Sequence, residues 1–406
     1  MIKIITGGVC APQGFKAAGI HCGIRRNKSK RDLALIYSEY PASAAAVYTT
    51  NRVQGAPIAV TRRHLADGTA RAIICNSGNA NTCNADGEKI AEQMCALAAA
   101  ELGLRAQDIA VASTGVIGQP LDITPIAGGI PELALELSVN GGADAADAIM
   151  TTDTRRKEIA VEFVLGGKIC RMGGIAKGSG MIHPNMATML VFITTDANIA
   201  ADVLQTALRE DCEDSFHMIS VDGDTSTNDT VLILANGGAI NNEQLTINSA
   251  DYQEFRAALR TVTTHLCREI ARDGEGATRL LTCSVTGAAE KSTARRAAKS
   301  VICSSLVKAA MFGADANWGR VLCALGYGVA ELQPERVDVA FSSAAGRIEV
   351  CRAGSGLAFS EENAKQILTQ PEVTIEVNLH SGQYSAAAWG CDLTYDYVKI
   401  NGDYRT

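Results

Sequence analysis

Aromatic residues make up only 5% of this 406-residue chain, two of them tryptophans, and proline occurs nine times. A core so poor in rings has to be filled by aliphatic and small side chains, and an apolar fraction of 47% is ample for that. Long apolar runs are missing as well: no stretch approaches the ~20 residues that cross a bilayer. The opening MIKIITGG has neither a signal-type apolar segment nor an Arg/Ser-rich leader. No membrane partner and a cytoplasmic location are therefore expected. Positive charge is outweighed, with 37 Lys and Arg against 44 Asp and Glu and a net charge of −7, which argues against a nucleic-acid partner. The densest basic run, Arg25-Arg26-Asn27-Lys28-Ser29-Lys30-Arg31, reads as a solvated loop.

Cysteine is plentiful, but its spacing is uninformative. Thirteen are scattered from Cys10 to Cys391 without one CxxC pair, and several sit in apolar stretches such as Ala72-Ile73-Ile74-Cys75. That pattern suits reduced thiols serving as small core residues. The six histidines form no HExxH or other paired-ligand spacing. Asp222 and Asp224 begin like a calcium loop, yet its sixth position would be Thr227 and its twelfth Ile233, where glycine and glutamate are needed. No metal is expected.

Apolar residues step by three or four through 250–273 (Tyr252, Phe255, Leu259, Val262, Leu266, Ile270), which predicts a helix ended by Gly274. Helices are likewise predicted at 86–102, ended by Gly103, and at 293–312, ended by Gly313. Strands are predicted at 71–75, 108–113, 158–164, 168–172, 188–194, 230–235, 279–285, 336–342, 347–351 and 372–378. The pair around Gly166-Gly167 reads as a hairpin, so at least part of the sheet is antiparallel. Hairpins mixed with long helices indicate α+β rather than a doubly wound parallel sheet. No linker-like stretch marks a conventional domain boundary.

Thr188 is the centre of the chemical reading. A glycine-loosened stretch with Gly173, Gly174, Gly178 and Gly180 leads through His183-Pro184-Asn185 to Met186-Ala187, and Thr188 opens an apolar, β-branched run. This is the layout of a self-cleaving N-terminal nucleophile, although a threonine is also an ordinary first residue of a strand. Cutting at Ala187–Thr188 would free an α-amine of pKa ~8, able to activate the weakly nucleophilic hydroxyl. Lys177 precedes Gly178-Ser179 rather than following a glycine, so the loop is not a GxxxxGK[ST] phosphate cradle.

These residues, with TTDT at 151–154, SVDGDTSTND at 220–229, NSGNAN at 76–81 and STGVIG at 113–118, resemble the ornithine acetyltransferase family, also called glutamate N-acetyltransferases. The resemblance runs from TGGVCAPQGFKAAGI at 6–20 to DLTYDYVKINGDYRT at 392–406. It implies an acyltransferase of arginine biosynthesis that moves acetyl from N-acetylornithine to glutamate through an acetyl-threonine. It also implies layered α/β/β/α architecture with mixed sheets, autoproteolysis into an α fragment (1–187) and an interwoven β fragment (188–406), and a heterotetramer of two of each. No cofactor is implied. Acetyl-CoA is left open as a second acetyl donor.

An attacked acetyl carbonyl needs preorganised donors for its developing charge. Thr114 offers a hydroxyl and Gly115 an unobstructed backbone N–H, which alone would equally suit a strand-to-loop turn; the family motif favours the oxyanion role. Lys177 is a candidate partner for a substrate carboxylate, and Glu275, between two glycines just after a helix, for a substrate ammonium. The resemblance supports both and adds Thr151, Asn401 and Thr406 as substrate contacts, with Thr152 an open alternative to Thr151. Asp222, Asp224 and Asn228 read as turn formers, as do Asn76, Asn79 and Asn81, and Asp315, Asn317 and Trp318, with pocket lining an open alternative for the last two loops. Two other functions share parts of this pattern: an autoprocessed aminopeptidase or amidase, and a non-catalytic amino-acid-binding protein.

Overall fold

The computed structural model describes residues 2–182, 189–239 and 244–403. Ala187, Thr188 and Thr406, and with them the expected cleavage bond, lie outside the described residues. Two mixed β-sheets organise the rest. The first has nine strands among the described residues, in the order Lys3–Ile5, Lys157–Leu165, Lys168–Lys177, Leu190–Thr195, Thr230–Ala235, Leu33–Tyr48, Thr69–Asn79 and Ile109–Val116, with Phe15–Ile20 paired to Leu33–Tyr48. The second has seven, centred on Leu280–Ala288, which runs parallel to Glu372–Asn378 and antiparallel to Tyr384–Cys391.

All ten strands read from the sequence are present, and the hairpin closes with Leu165 opposite Lys168. Both turn glycines there have positive φ, as that tight a reversal requires. Leu190–Thr195 and Thr230–Ala235 are buried at every position, which explains runs without polar alternation. Leu190–Thr195 pairs antiparallel with Lys168–Lys177 on one side and parallel with Thr230–Ala235 on the other.

The helix Tyr252–Arg272 lies against both sheets, on Lys157–Leu165 and Lys168–Lys177 in one and on Tyr384–Cys391 in the other. Val262 and Leu266 come over Gly174, whose missing side chain lets the helix settle on that strand. The helix expected at 86–102 forms as Gly87–Leu102, with Gly103 left-handed at its end. The single helix expected over 293–312 is instead two, Lys291–Cys303 and Ser305–Phe312. Ser304 breaks it: its backbone is extended, and its hydroxyl accepts from the Val307 N–H to cap the second helix. All thirteen cysteines are free thiols, nine of them buried.

Candidate active site

The two strands Thr69–Asn79 and Ile109–Val116 run parallel and finish together, with Ser77 opposite Thr114 and Gly78 opposite Gly115. Thr114 is buried at the strand's end. Gly115 has φ +135°, and a Cβ there would lie 2.3 Å from the Gly78 carbonyl carbon, so only glycine lets these backbones meet. The Lys177 ammonium, from the last residue of the strand Lys168–Lys177, donates to the Thr114 hydroxyl at 3.4 Å. Lys177 is fully buried. Burial pushes its pKa down, opposed by the charges of Asp153 and Asp229.

Glu275 is held on the Gly274–Gly276 loop beyond the long helix. Its N–H donates to the Ser179 carbonyl at 2.9 Å, and its carboxylate accepts from Asn401 Nδ2 at 2.8 Å. Asn401 belongs to the helix Tyr395–Gly402, which Thr394 caps while donating its hydroxyl proton to the Gly276 carbonyl at 2.7 Å. A solvent-facing Glu275 is thereby excluded: the residue is 9% exposed.

Thr114, Gly115, Thr151, Lys177, Glu275 and Asn401 line one cavity of about 260 Å³. Six residues expected from five separate stretches of chain thus meet in a space the size of an amino acid. Thr151 and Thr152 both face it. Thr152 spends its hydroxyl on Ser179 Oγ at 2.8 Å, whereas the Thr151 hydroxyl has no partner among the described residues, which makes Thr151 the better ligand donor.

Several residues that hold this site were not singled out from the sequence. Asp153, in the TTDT stretch, accepts from Lys157 Nζ at 2.6 Å, from Gly178 N–H at 2.7 Å and from Thr151 N–H at 2.9 Å. Lys157 Nζ also reaches Asp273 at 2.6 Å, and Asp273 accepts from the Thr154 N–H at 3.0 Å. This buried triad joins the Thr151 loop, the end of the Lys177 strand and the foot of the Glu275 loop. Burial pushes the Asp153 carboxyl up, but the Lys157 and Lys177 charges and these hydrogen bonds overcome it and hold the group below the usual carboxylate range. The i, i+4 spacing of Asp153 and Lys157 was the available signal, hidden because the segment is not a helix.

The SVDGDTSTND stretch does more than turn. Asp222 accepts from the Met181 and Ile182 N–H groups at 2.6 and 2.7 Å, and Asp229 accepts from the Met189 N–H at 2.8 Å. Two carboxylates therefore fix the described residues on either side of 183–188. The second Asp229 oxygen is buried without a hydrogen-bond partner. Burial pushes this carboxyl well above its ordinary pKa, against the Met189 N–H and the Lys177 charge. Asn228 lines the cavity, but its amide is consumed by the Ala80 and Ser113 carbonyls and its oxygen by Thr82 and Thr227, so the turn-forming reading holds. Asn76, Asn79 and Asn81 are likewise bonded within their loop or to the 119–120 carbonyls. Asn317 caps the helix Trp318–Gly328. Among the described residues, no group of three His, Cys, Asp or Glu side chains is placed to hold a metal ion, and no helix is long and apolar enough to cross a membrane.

The ArgJ family model matches residues 16–406. The chain belongs to the ArgJ family. One relative, the arginine biosynthesis bifunctional protein ArgJ of Symbiobacterium thermophilum, is 54% identical over 404 residues, covering 99% of both chains. The protein of the same name from Caldanaerobacter subterraneus is 48% identical over the whole of both chains. A solved ArgJ structure from Bacillus halodurans is similar at 47% identity with a TM-score of 0.50, covering 52% of this chain and 98% of that one. The family match spans every motif that lines the cavity, so the gathered side chains belong to an acyltransferase family rather than to a binding module.

Proposed function

We propose that this chain is the acetyltransferase of arginine biosynthesis that moves the acetyl group of N2-acetyl-L-ornithine to L-glutamate. The convergence of Thr114, Gly115, Thr151, Lys177, Glu275 and Asn401 on one amino-acid-sized cavity carries the reading. Family membership supports it, since the relatives are arginine biosynthesis proteins.

In this reading the chain cuts itself at Ala187–Thr188 into fragments 1–187 and 188–406. The solved Bacillus relative's chain is about half as long as this one, which supports two fragments. The freed Thr188 amine takes the hydroxyl proton, and the oxygen attacks the acetyl carbonyl. Thr114 Oγ and the Gly115 N–H meet the developing oxyanion. Lys177, which lines the cavity beside Thr114, meets the α-carboxylate that both substrates share. Ornithine leaves, its amine protonated by the α-amine, and the acetyl group stays on Thr188 as an ester. Glutamate's amine then attacks the ester, dividing one difficult transfer into two easier steps. Glu275, oriented by Asn401, meets substrate ammonium, and Thr151 and Thr406 complete the recognition. The fragments assemble as a heterotetramer in the cytoplasm, and no cofactor takes part.

Denaturing electrophoresis with mass spectrometry tests the first half: two pieces of 187 and 219 residues are expected, and a single intact chain would sink the self-cleavage. Initial-rate kinetics tests the second. Parallel double-reciprocal lines and an acetylated 188–406 fragment accumulating without glutamate are expected. Acetyl release to water at the same rate with and without glutamate would mark a hydrolase instead.

A further inference from the structure

The two carboxylates bonded to either side of 183–188 are spent differently. Asp222 commits both oxygens, Oδ2 to the Met181 N–H and Oδ1 to the Ile182 N–H. Asp229 commits one. Its Oδ1 accepts from the Met189 N–H at 2.8 Å, and its Oδ2 has no hydrogen-bond partner among the described residues, where it is the only buried carboxylate oxygen so left. An orphaned buried polar atom calls for an explanation. Asp229 is also held in place: its carbonyl accepts from the Thr49 N–H at 3.0 Å, and the next residue, Thr230, donates its N–H to the Met189 carbonyl at 3.1 Å. The Thr49 hydroxyl, the other polar group beside the carboxyl, gives its proton to the Ser226 carbonyl at 2.7 Å. Lys177 faces Asp229 from the strand Lys168–Lys177 and is the one charge that bears on it among the described residues. Burial outweighs that charge, so the carboxyl keeps its proton far above the usual carboxylate range. With Oδ1 accepting an N–H, the proton belongs on Oδ2.

The Met189 nitrogen is three bonds from that of Thr188, so covalent geometry alone keeps the two within about 4 Å of each other. An amide nitrogen is a poor leaving group until it is protonated, and a buried acid held beside it is suited to that task. We propose that Asp229 is the proton donor of the self-cleavage, passing its Oδ2 proton to the Thr188 nitrogen as the Ala187–Thr188 bond breaks. The proposal rests on the cleavage reading above. The Thr188 oxygen bonds to the Ala187 carbonyl carbon, Asp229 protonates the nitrogen, and the carbon–nitrogen bond breaks to leave an ester and a free amine. The Asp229 carboxylate recovers the proton that the threonine oxygen sheds. Water then attacks the ester, its carbon–oxygen bond breaks, and the products are the Ala187 carboxylate, the restored Thr188 hydroxyl and one released proton. Lys177 and Thr114, which line the amino-acid pocket, serve acetyl transfer; Asp229 acts once, before the pocket is complete.

The test follows the cut as it happens. The full-length chain is made by pulse-labelled cell-free synthesis and transferred to buffers spanning the acid to alkaline range, and the fragments are timed by denaturing electrophoresis. The wild type should cut more slowly as pH rises through the folded value of Asp229, where the donor becomes a carboxylate. Asp229→Asn keeps an oxygen for the Met189 N–H and sets an N–H donor in place of Oδ2, but has no proton to transfer. It should cut roughly 10²–10⁴-fold more slowly, without that dependence on pH. A variant that cuts at the wild-type rate, or slowly with the wild-type pH profile, gives Asp229 a purely structural role and overturns the proposal. A wild-type rate that stays flat or rises towards alkaline pH overturns it too, and that profile alone decides should the variant fail to fold by circular dichroism. Failure of the underlying reading shows separately, as a wild-type chain that stays intact at every pH.

Discussion

Replacing Lys157 by Met should expose how much the site depends on its buried triad. Lys157 Nζ lies 2.6 Å from an oxygen of Asp153 and 2.6 Å from one of Asp273, so those two oxygens are at most about 5 Å apart. Removing the ammonium leaves two buried carboxylates facing each other. At an effective dielectric of ~20 their repulsion is about 3 kcal/mol, in line with the ~3–5 kcal/mol lost when one partner of a buried pair is deleted. A melting point roughly 5 °C lower at pH 8 follows. The pH dependence has a definite sign. In the wild type the Asp153 carboxyl is held below its usual range. Its stabilisation is thus present above about pH 4 and lost as pH falls through the lower folded value. In the variant the carboxylate pair relieves itself by taking up a proton, so its deficit should shrink as pH falls from 8 to 5. Scanning calorimetry of both proteins across that range is the assay. A variant within 1 °C of wild type at pH 8, or a deficit that widens on acidification, would refute the reasoning. Because Thr151, Gly178 and the foot of the Glu275 loop hang on this triad, KM for N-acetylornithine should rise as well.

Thr114→Ala removes one oxyanion donor and should lower kcat by roughly 10²–10³ with little change in KM; a processed variant with full kcat would remove Thr114 from the mechanism. Gly180→Ala would place a Cβ 2.3 Å from the Glu275 carboxyl carbon. It should swing that carboxylate off Asn401 and raise KM about tenfold, reproducing Glu275→Ala without touching Glu275, and kinetics unchanged from wild type would contradict the placement. Asp229 has a raised pKa through burial, so it supports stability at low pH and loses that contribution as pH rises through its folded value. Asp229→Asn should therefore gain on the wild type in melting point as pH increases from 5 to 8, and a difference independent of pH would show that the carboxyl is already charged.

The strands that bear the chemistry were legible because they are apolar and short, as Leu190–Thr195 and Ile109–Val116 are, and Ile109–Val116 is marked further by glycines at its end. Leu33–Tyr48 was not, although it is the longest strand. Its second half is alanine and serine, and Pro41 sits where its register with Thr69–Asn79 shifts, a bulge that tolerates proline but erases the two-residue alternation. The helix Gly142–Ile149 was invisible for a different reason, its buried face being built from glycine and alanine with Ile149 as its one large apolar residue. The pocket residues were recognisable from motif content, since a threonine–glycine step or a glutamate between glycines is distinctive locally. Their supports were not. Lys157 and Asp273, or Asp229 and Met189, are brought together only by the fold, and no spacing along the chain announces a bond spanning 116 or 40 residues.

The position of Leu190–Thr195 has a consequence for molecularity. This strand lies inside the first sheet, between Lys168–Lys177 from before the expected cut and Thr230–Ala235 from after it, and Thr230–Ala235 is itself paired to Leu33–Tyr48. A cut at Ala187–Thr188 would leave the two polypeptides laced through one another like alternate threads, held by the same ladder bonds as before. Unfolding would then release two species that must find each other again. Recovery of the processed protein after denaturation should be second order in concentration and slow when dilute, whereas an uncut chain would refold in a first-order process.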